Sequence, residues 1–196
     1  MTLFEYDNEI RTLRPVIVGA DEAGRGPLAG DVYAAAVILP PDLIIDGVND
    51  SKKLTEKKRE LLYDEIIAKA EAYCIATAAV AEIEEINILN AAMLAMKRAI
   101  EGLGREYDIA LIDGNKTPDV PHAKSVIKGD ATSQTIAAAS ILAKVARDRY
   151  MKALDEQYPE YQFSKHKGYG TKLHYEMINK YGPSPVHRPS FLKKMH

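Results

Sequence analysis

Asp21 and Glu22 are adjacent carboxylates at the end of an apolar run, and Gly24, Arg25 and Gly26 follow almost at once. Neighbouring acids repel each other and resist dehydration, so burying them demands cations, hydrogen bonds or protonation. Two further acids stand in comparable settings, Asp113 after DIALI and Asp130 after KSVIKG. If the strands that precede these acids are neighbours, the carboxylates converge. An oxygen-rich set without supporting histidine or cysteine suits Mg²⁺ or Mn²⁺, and it is the donor set used in two-metal phosphoryl chemistry. A plainer alternative stands beside this one: Asp21 caps a turn in a solvated loop, and Asp113-Gly114 and Gly129-Asp130 are turn dipeptides. The glycines match neither the G-x-G-x-x-G nor the G-x-x-x-x-G-K-[ST] pattern, which argues against a dinucleotide fold or a phosphate loop. Gly24 and Gly26 instead let backbone approach a ligand without Cβ interference.

The elements that must position these residues can be read from periodicity. Val16 to Ala20 is a short β-branched run, predicted to be a buried strand whose end projects Asp21 and Glu22. Val32 to Leu39 follows closely enough to pair antiparallel with it. A helix is predicted over Thr55 to Ala70, with Thr55 as its cap and Leu62, Ile66 and Ala70 on one face. Tyr73 to Val80 gives a third strand. Leu89, Met93, Met96, Ile100 and Leu103 then recur as the core stripe of a helix ended by Gly104. Strand signals return at Asp108 to Ile112 and at Lys124 to Ile127. Ser133 opens a long helix whose inner face is expected to carry Ile136, Ser140, Ala143, Ala146 and Tyr150. The pattern predicts an α/β fold, a mixed central sheet covered by helices, in one domain spanning 1–196.

The chain has 196 residues, 46% of them hydrophobic, and a formal net charge of -2. That balance argues against a protein that coats nucleic acid by bulk charge, though not against a local basic surface. Its one cysteine, Cys74, excludes an intramolecular disulfide or a multi-cysteine metal site. No apolar run approaches a bilayer span and the N-terminus lacks the layout of a signal peptide, so the expected setting is cytoplasmic and away from membranes.

Several ordered motifs carry a closer resemblance: DEAGRGPLAG at Asp21, NDSKKL at Asn49, NILNAAMLAMKRAI at Asn87, LIDGN at Leu111, KGD at Lys128, AAASILAKVARD at Ala137, HKGYGT at His166 and SPVHRPSF at Ser184. Together they span nearly the whole chain and resemble ribonuclease HII, the type 2 ribonuclease H; the Arg25 loop points away from the sister ribonuclease HIII. The resemblance implies a ribonuclease H-like fold with a C-terminal helical portion from about residue 155 to 196. It further implies endonucleolysis of RNA in RNA/DNA hybrids and of duplex DNA carrying a single ribonucleotide, cut on the 5′ side to leave a 3′-hydroxyl and a 5′-phosphate. By position, Asp21, Glu22, Asp113 and Asp130 become the catalytic carboxylates that hold two Mg²⁺ or Mn²⁺ ions. Gly24, Arg25 and Gly26 face the ribose 2′-hydroxyl, and Tyr169 stacks near the RNA/DNA junction. Lys52 and Lys53 are expected at backbone phosphates, supported by Lys165, Lys167 and Arg188. His166 and His187 are expected to be substrate-side or structural, and Ser140 to pack beside the site. A monomer is expected. Two other functions share part of this pattern: a metal-dependent phosphohydrolase of small phosphate esters, which has no need of Gly24 to Gly26 or Tyr169, and a non-catalytic hybrid-binding protein, which has no reason to set four acids against a polyanion.

Overall fold

In the computed structural model, which describes residues 1–49 and 51–193, the chain begins with a helix that its sequence periodicity does not announce. This helix, α1 (Leu3–Arg11), starts in a capping box in which the Thr2 side chain accepts from Glu5 N and the Glu5 carboxylate accepts from Thr2 N. It buries Asp7, whose Oδ2 accepts from Thr135 N (2.9 Å) and Thr135 Oγ1 (2.7 Å). α1 thereby anchors the start of the long helix described below.

Strand β1 (Ile17–Ala23) runs past the predicted end at Ala20 and takes in Asp21, Glu22 and Ala23. The reason lies in its neighbour: β2 (Val32–Ile38) supplies ladder partners for all three, Asp21↔Ala35, Glu22↔Ala34 and Ala23↔Tyr33. The acids are therefore held by sheet hydrogen bonding rather than by a loop, which removes the turn-cap alternative for Asp21.

The chain continues through α2 (Glu56–Lys69), capped by Thr55, whose side chain accepts from Lys58 N, and then β3 (Ala72–Ala78). Helix α3 (Val80–Gly102) begins well before the predicted stripe and is broken at Asn87, where φ is 69° and ψ 164°. Asn87 Oδ1 accepts from Asn90 N at 3.0 Å and so restarts the helix after the break. Met96, Ile100 and Leu103 are buried as predicted, but Leu89 and Met93 are only half-buried. Ala91, Ala92, Ala95 and Ala99 form the rest of the buried face, because small side chains let the helix lie close on the sheet.

After β4 (Ile109–Asp113), β5 (Ala123–Val126) and a single 3-10 turn at Gly129–Ala131 comes α4 (Gln134–Gln157), capped by the Ser133 side chain. The sheet order is β3-β2-β1-β4-β5, with β1 antiparallel to β2 and parallel to β4. Val18, Ala20, Ala34 and Ala36 pack toward α3; Ala35 and Val37 pack toward Ala137, Ala138, Leu142 and the Leu62 and Ile66 of α2. Helices on both faces of a mixed sheet are the predicted architecture.

Gly19 shows how tight the α4 face is. A Cβ there would sit 2.3 Å from Thr135 C and 2.5 Å from Ile136 N, both backbone atoms that cannot swing aside. Gly19→Ala is expected to lower stability by about 3 kcal/mol, measured by urea denaturation. A loss below about 1 kcal/mol would mean that α4 can lift off the sheet at little cost.

The remaining described residues form α5 (Phe163–His166), α6 (Lys172–Tyr181) and 3-10 turns at Pro159–Tyr161 and Pro189–Phe191. Tyr161 and Phe163 pack on Met151 and Leu154 of α4, and His187 bridges to Ala29 in the segment between β1 and β2. This part of the chain therefore grips the loop that follows the two acids. No helix among the described residues is long and apolar enough to cross a membrane. Asp50 of the NDSKKL motif and Lys194, Met195 and His196 of the tail lie outside the described residues.

Candidate active site

The carboxyl ends of the parallel neighbours β1 and β4 meet at one edge of the sheet, since Ala20 is in register with Ile112. The next residue on each strand is Asp21 or Asp113, so the register alone brings these acids side by side. Beside β1 the strand direction changes from parallel to antiparallel, and the crevice beyond strand ends at such a point is where open α/β sheets place ligands. Here it is an open cleft of about 550 Å³ lined by Asp21, Glu22, Asp113, the Gly24 to Gly26 loop, Lys52 and Tyr169. A larger depression of about 750 Å³ lies at the other end of the strands, around Val16 and Asp108. Of the acids that line it, Asp108 is already engaged, its Oδ2 accepting from Val16 N at 2.8 Å, and Arg105 is paired with Glu71.

Asp21 is 5% exposed. Burial pushes its carboxyl well above the ordinary range, and the nearby Glu22 and Asp113 push it further in the same direction. The N–H of Glu22, donating to Asp21 Oδ1 at 2.7 Å, and the Ser140 hydroxyl oppose that shift without cancelling it. Glu22 is raised as well, first by burial and then by Asp113, against the opposing pull of Arg25 Nη1 at 3.3 Å. Like charges in a dehydrated cleft, all of them oxygen donors, fit a hard divalent cation. They are arranged openly, however, since among the described residues no three His, Cys, Asp or Glu side chains form a ready-made metal cluster.

Asp130 occupies a different place from the other three acids. It sits in the 3-10 turn before α4, its N–H donates to Asp113 Oδ1 at 3.3 Å, and its side chain does not line the cleft. The backbone link brings it next to Asp113.

The loop after β1 rests on two buried arginines. Gly24 has φ 97°, and a Cβ on it would lie 2.0 Å from Arg147 Nε, so the guanidinium beneath it requires a glycine there. Gly26, by contrast, faces the Tyr169 ring, 3.8 Å from where a Cβ would be. Arg188 corrects the sequence expectation. It has no exposed surface, and its guanidinium donates to the carbonyls of Gly24 (2.7 Å), Arg25 (3.1 Å), Pro27 (2.9 Å) and Gly30 (2.6 Å). A side chain so committed shapes the loop and cannot reach a phosphate.

Among the lysines, Lys52 lines the cleft from the 3-10 turn Ser51–Lys53, whereas the exposed Lys53 does not. The ammonium of Lys167 folds back to Ser164 O, and Lys165 donates to Gln162 Oε1 at 2.5 Å, so both are engaged away from the cleft. His166 and His187 are buried, which selects the structural alternative for both. Sequence reasoning missed Lys144, whose ammonium lies 5.7 Å from the centre of the Tyr169 ring, and Ser51, whose hydroxyl is hydrogen-bonded to that of Ser140 at 2.8 Å. Ile88 and Phe191 also line the cleft unforeseen. Lys144 carried a legible signal, being one helical turn beyond Ser140 on the same face of α4.

A family model described as Ribonuclease HII matches residues 18–194. The chain belongs to the ribonuclease HII family. It is 57% identical over 180 residues to the Ribonuclease HII of Caldicellulosiruptor bescii, covering 91% of this chain and 87% of that one. To the Ribonuclease HII of Idiomarina loihiensis it is 58% identical over 178 residues, with 90% and 95% covered. Among solved structures, the ribonuclease H2 from Pyrococcus horikoshii OT3 superposes with a TM-score of 0.73 at 26% identity, covering 89% of this chain and 93% of that one. As a member of the ribonuclease HII family the chain is an enzyme, a nuclease that hydrolyses phosphodiester bonds, and the ribonuclease H-like fold expected of it is the fold observed.

Proposed function

We propose that this chain cleaves the RNA strand of RNA/DNA hybrids and cuts duplex DNA on the 5′ side of a single embedded ribonucleotide, leaving a 3′-hydroxyl and a 5′-phosphate. The observation that carries the proposal is that one cleft holds both the strand-end acids Asp21, Glu22 and Asp113 and the groups that would read a ribose, Gly24 to Gly26 and Tyr169. Two divalent ions, Mg²⁺ or Mn²⁺, held by Asp21, Glu22, Asp113 and Asp130, would activate water and neutralise charge on the phosphate and the departing oxygen.

The protein's own groups do the positioning. Gly26 is exposed, so its backbone can approach a 2′-hydroxyl, the group that separates RNA from DNA. Tyr169 is 41% exposed, and Lys144 and Arg147 lie 5.7 and 5.9 Å from its ring centroid. Their attraction for the ring quadrupole steadies it as a stacking surface for a sugar or base. Arg25 pairs with Glu22 across an exposed edge, so a cation arriving at Glu22 can displace it toward the substrate. Lys52 and Lys144 supply positive charge beside the acids for the phosphates of the duplex.

Tyr169→Ala is expected to slow single-turnover cleavage at one embedded ribonucleotide by about 10- to 100-fold, the range of a lost stacking contact. An unchanged rate would remove Tyr169 from the substrate site.

A further inference from the structure

Three buried histidines that the proposed chemistry does not use lie directly behind Tyr169. Their exposures are 7% for His166, 0% for His174 and 2% for His187. His174 stacks on His166 with ring centroids 4.2 Å apart, and Phe163 packs against all three rings at 5.7 to 5.9 Å, so none can turn freely.

Their hydrogen bonds fix every proton. The backbone N–H of Ser184, which can only donate, points at His187 Nδ1 from 2.9 Å, so that nitrogen must accept. A neutral His187 then carries its proton on Nε2, which faces His174 Nε2 at 2.9 Å. His174 Nε2 must therefore accept as well, leaving the His174 proton on Nδ1, 2.9 Å from the carbonyl oxygen of Tyr169. In the same way Gly168 N donates to His166 Nδ1 (3.1 Å), so His166 Nε2 donates to Tyr161 O (2.8 Å). Burial keeps all three imidazoles neutral, pushing His174 and His187 down to about 4.

Both ends of this chain of bonds reach walls of the cleft. One end is the Tyr169 carbonyl. The other is His187, whose neighbour Arg188 holds the carbonyls of Gly24 and Arg25. We propose that His174 and His187 are positioning residues, a one-way hydrogen-bond relay that fixes the Tyr169 main chain relative to the Gly24 to Gly26 loop and so sets the ring against the substrate. This rests on the reading of Tyr169 as a substrate-side residue.

His174→Asn and His174→Gln separate the relay from simple filling of space. An asparagine amide stands where Nδ1 was and can still donate to the Tyr169 carbonyl; a glutamine amide stands where Nε2 was and leaves that carbonyl without its donor. Both variants are first checked for cooperative thermal unfolding, then assayed on a duplex with one ribonucleotide. The Asn variant is expected to keep a kcat about 10-fold above that of the Gln variant, with similar KM. In a Tyr169→Ala background the two should become equal, because the residue they position is gone. Equal kcat for Asn and Gln with Tyr169 intact, or a difference that persists in Tyr169→Ala, would overturn the relay while leaving the role of Tyr169 standing. If Tyr169→Ala alone left the rate unchanged, both would fall.

Discussion

Asp21→Asn is expected to lower cleavage by about 10³-fold or more while raising the melting temperature of the metal-free protein by a few degrees. The two effects share one cause. Asp21 is buried beside Glu22 and Asp113, and its carboxyl is held well above the ordinary range by burial first and by those like charges second. Because the folded-state pKa is raised, the unfolded chain releases this proton first as pH rises. Stability therefore falls between the ordinary carboxyl range and the raised folded value, and the penalty is constant above it. An asparagine removes that penalty, so the stability gap between variant and wild type should open through this window and stay flat at higher pH. Adding Mg²⁺ or Mn²⁺ should reverse the order, stabilising the wild type by binding only its folded state and the variant much less. Asp130→Asn should likewise nearly abolish cleavage in a folded protein, since its turn is bonded directly to Asp113; full activity would place Asp130 outside the metal site. Thermal melts with and without metal, beside a cleavage assay, check each part.

The second large effect lies outside the carboxylates. Arg188→Ala is expected to cost about 3–5 kcal/mol in urea denaturation, because the carbonyls of Gly24, Arg25, Pro27 and Gly30 would lose a buried charged donor. Arg188→Lys should recover little of this. Burial and the neighbouring Arg147 push the Arg188 pKa down to about 9, so the guanidinium stays charged at neutral pH, but an ammonium cannot span four separated carbonyls. Cleavage should fall in both variants, since the loop they loosen carries Gly24 to Gly26. A loss below about 1 kcal/mol for Arg188→Ala would show that the loop holds its shape unaided.

Arg188 also marks the limit of sequence reading. A cation in a motif near a proposed nucleic-acid site reads as a phosphate contact, and nothing local shows that it will be buried under a loop more than 150 residues away in the chain. Asp21 and Asp113 were legible for the opposite reason: each directly follows a short apolar run, and two parallel strands in register bring such positions together. Asp21 and Glu22 lie inside β1 rather than beyond it, because β2 extends the ladder past the apolar residues that periodicity detects. The buried Asp7 depends on a contact with Thr135 at the head of α4, 128 residues away, and leaves no periodic trace. Gly24 was legible as a loop glycine, but the buried Arg147 packed beneath it, 2.0 Å from where a Cβ would lie, was not.

The central claim is that the acids and the ribose readers of one cleft act on the same phosphodiester. The most direct test incubates the purified protein with Mg²⁺ or Mn²⁺ and an end-labelled DNA duplex carrying one ribonucleotide, and maps the cut to single-nucleotide resolution against an all-DNA duplex. The expected result is one metal-dependent cut immediately 5′ to the ribonucleotide, ending in a 3′-hydroxyl, with the all-DNA duplex intact. Cleavage of both duplexes alike, or none on the ribonucleotide-bearing one with either metal, would contradict it.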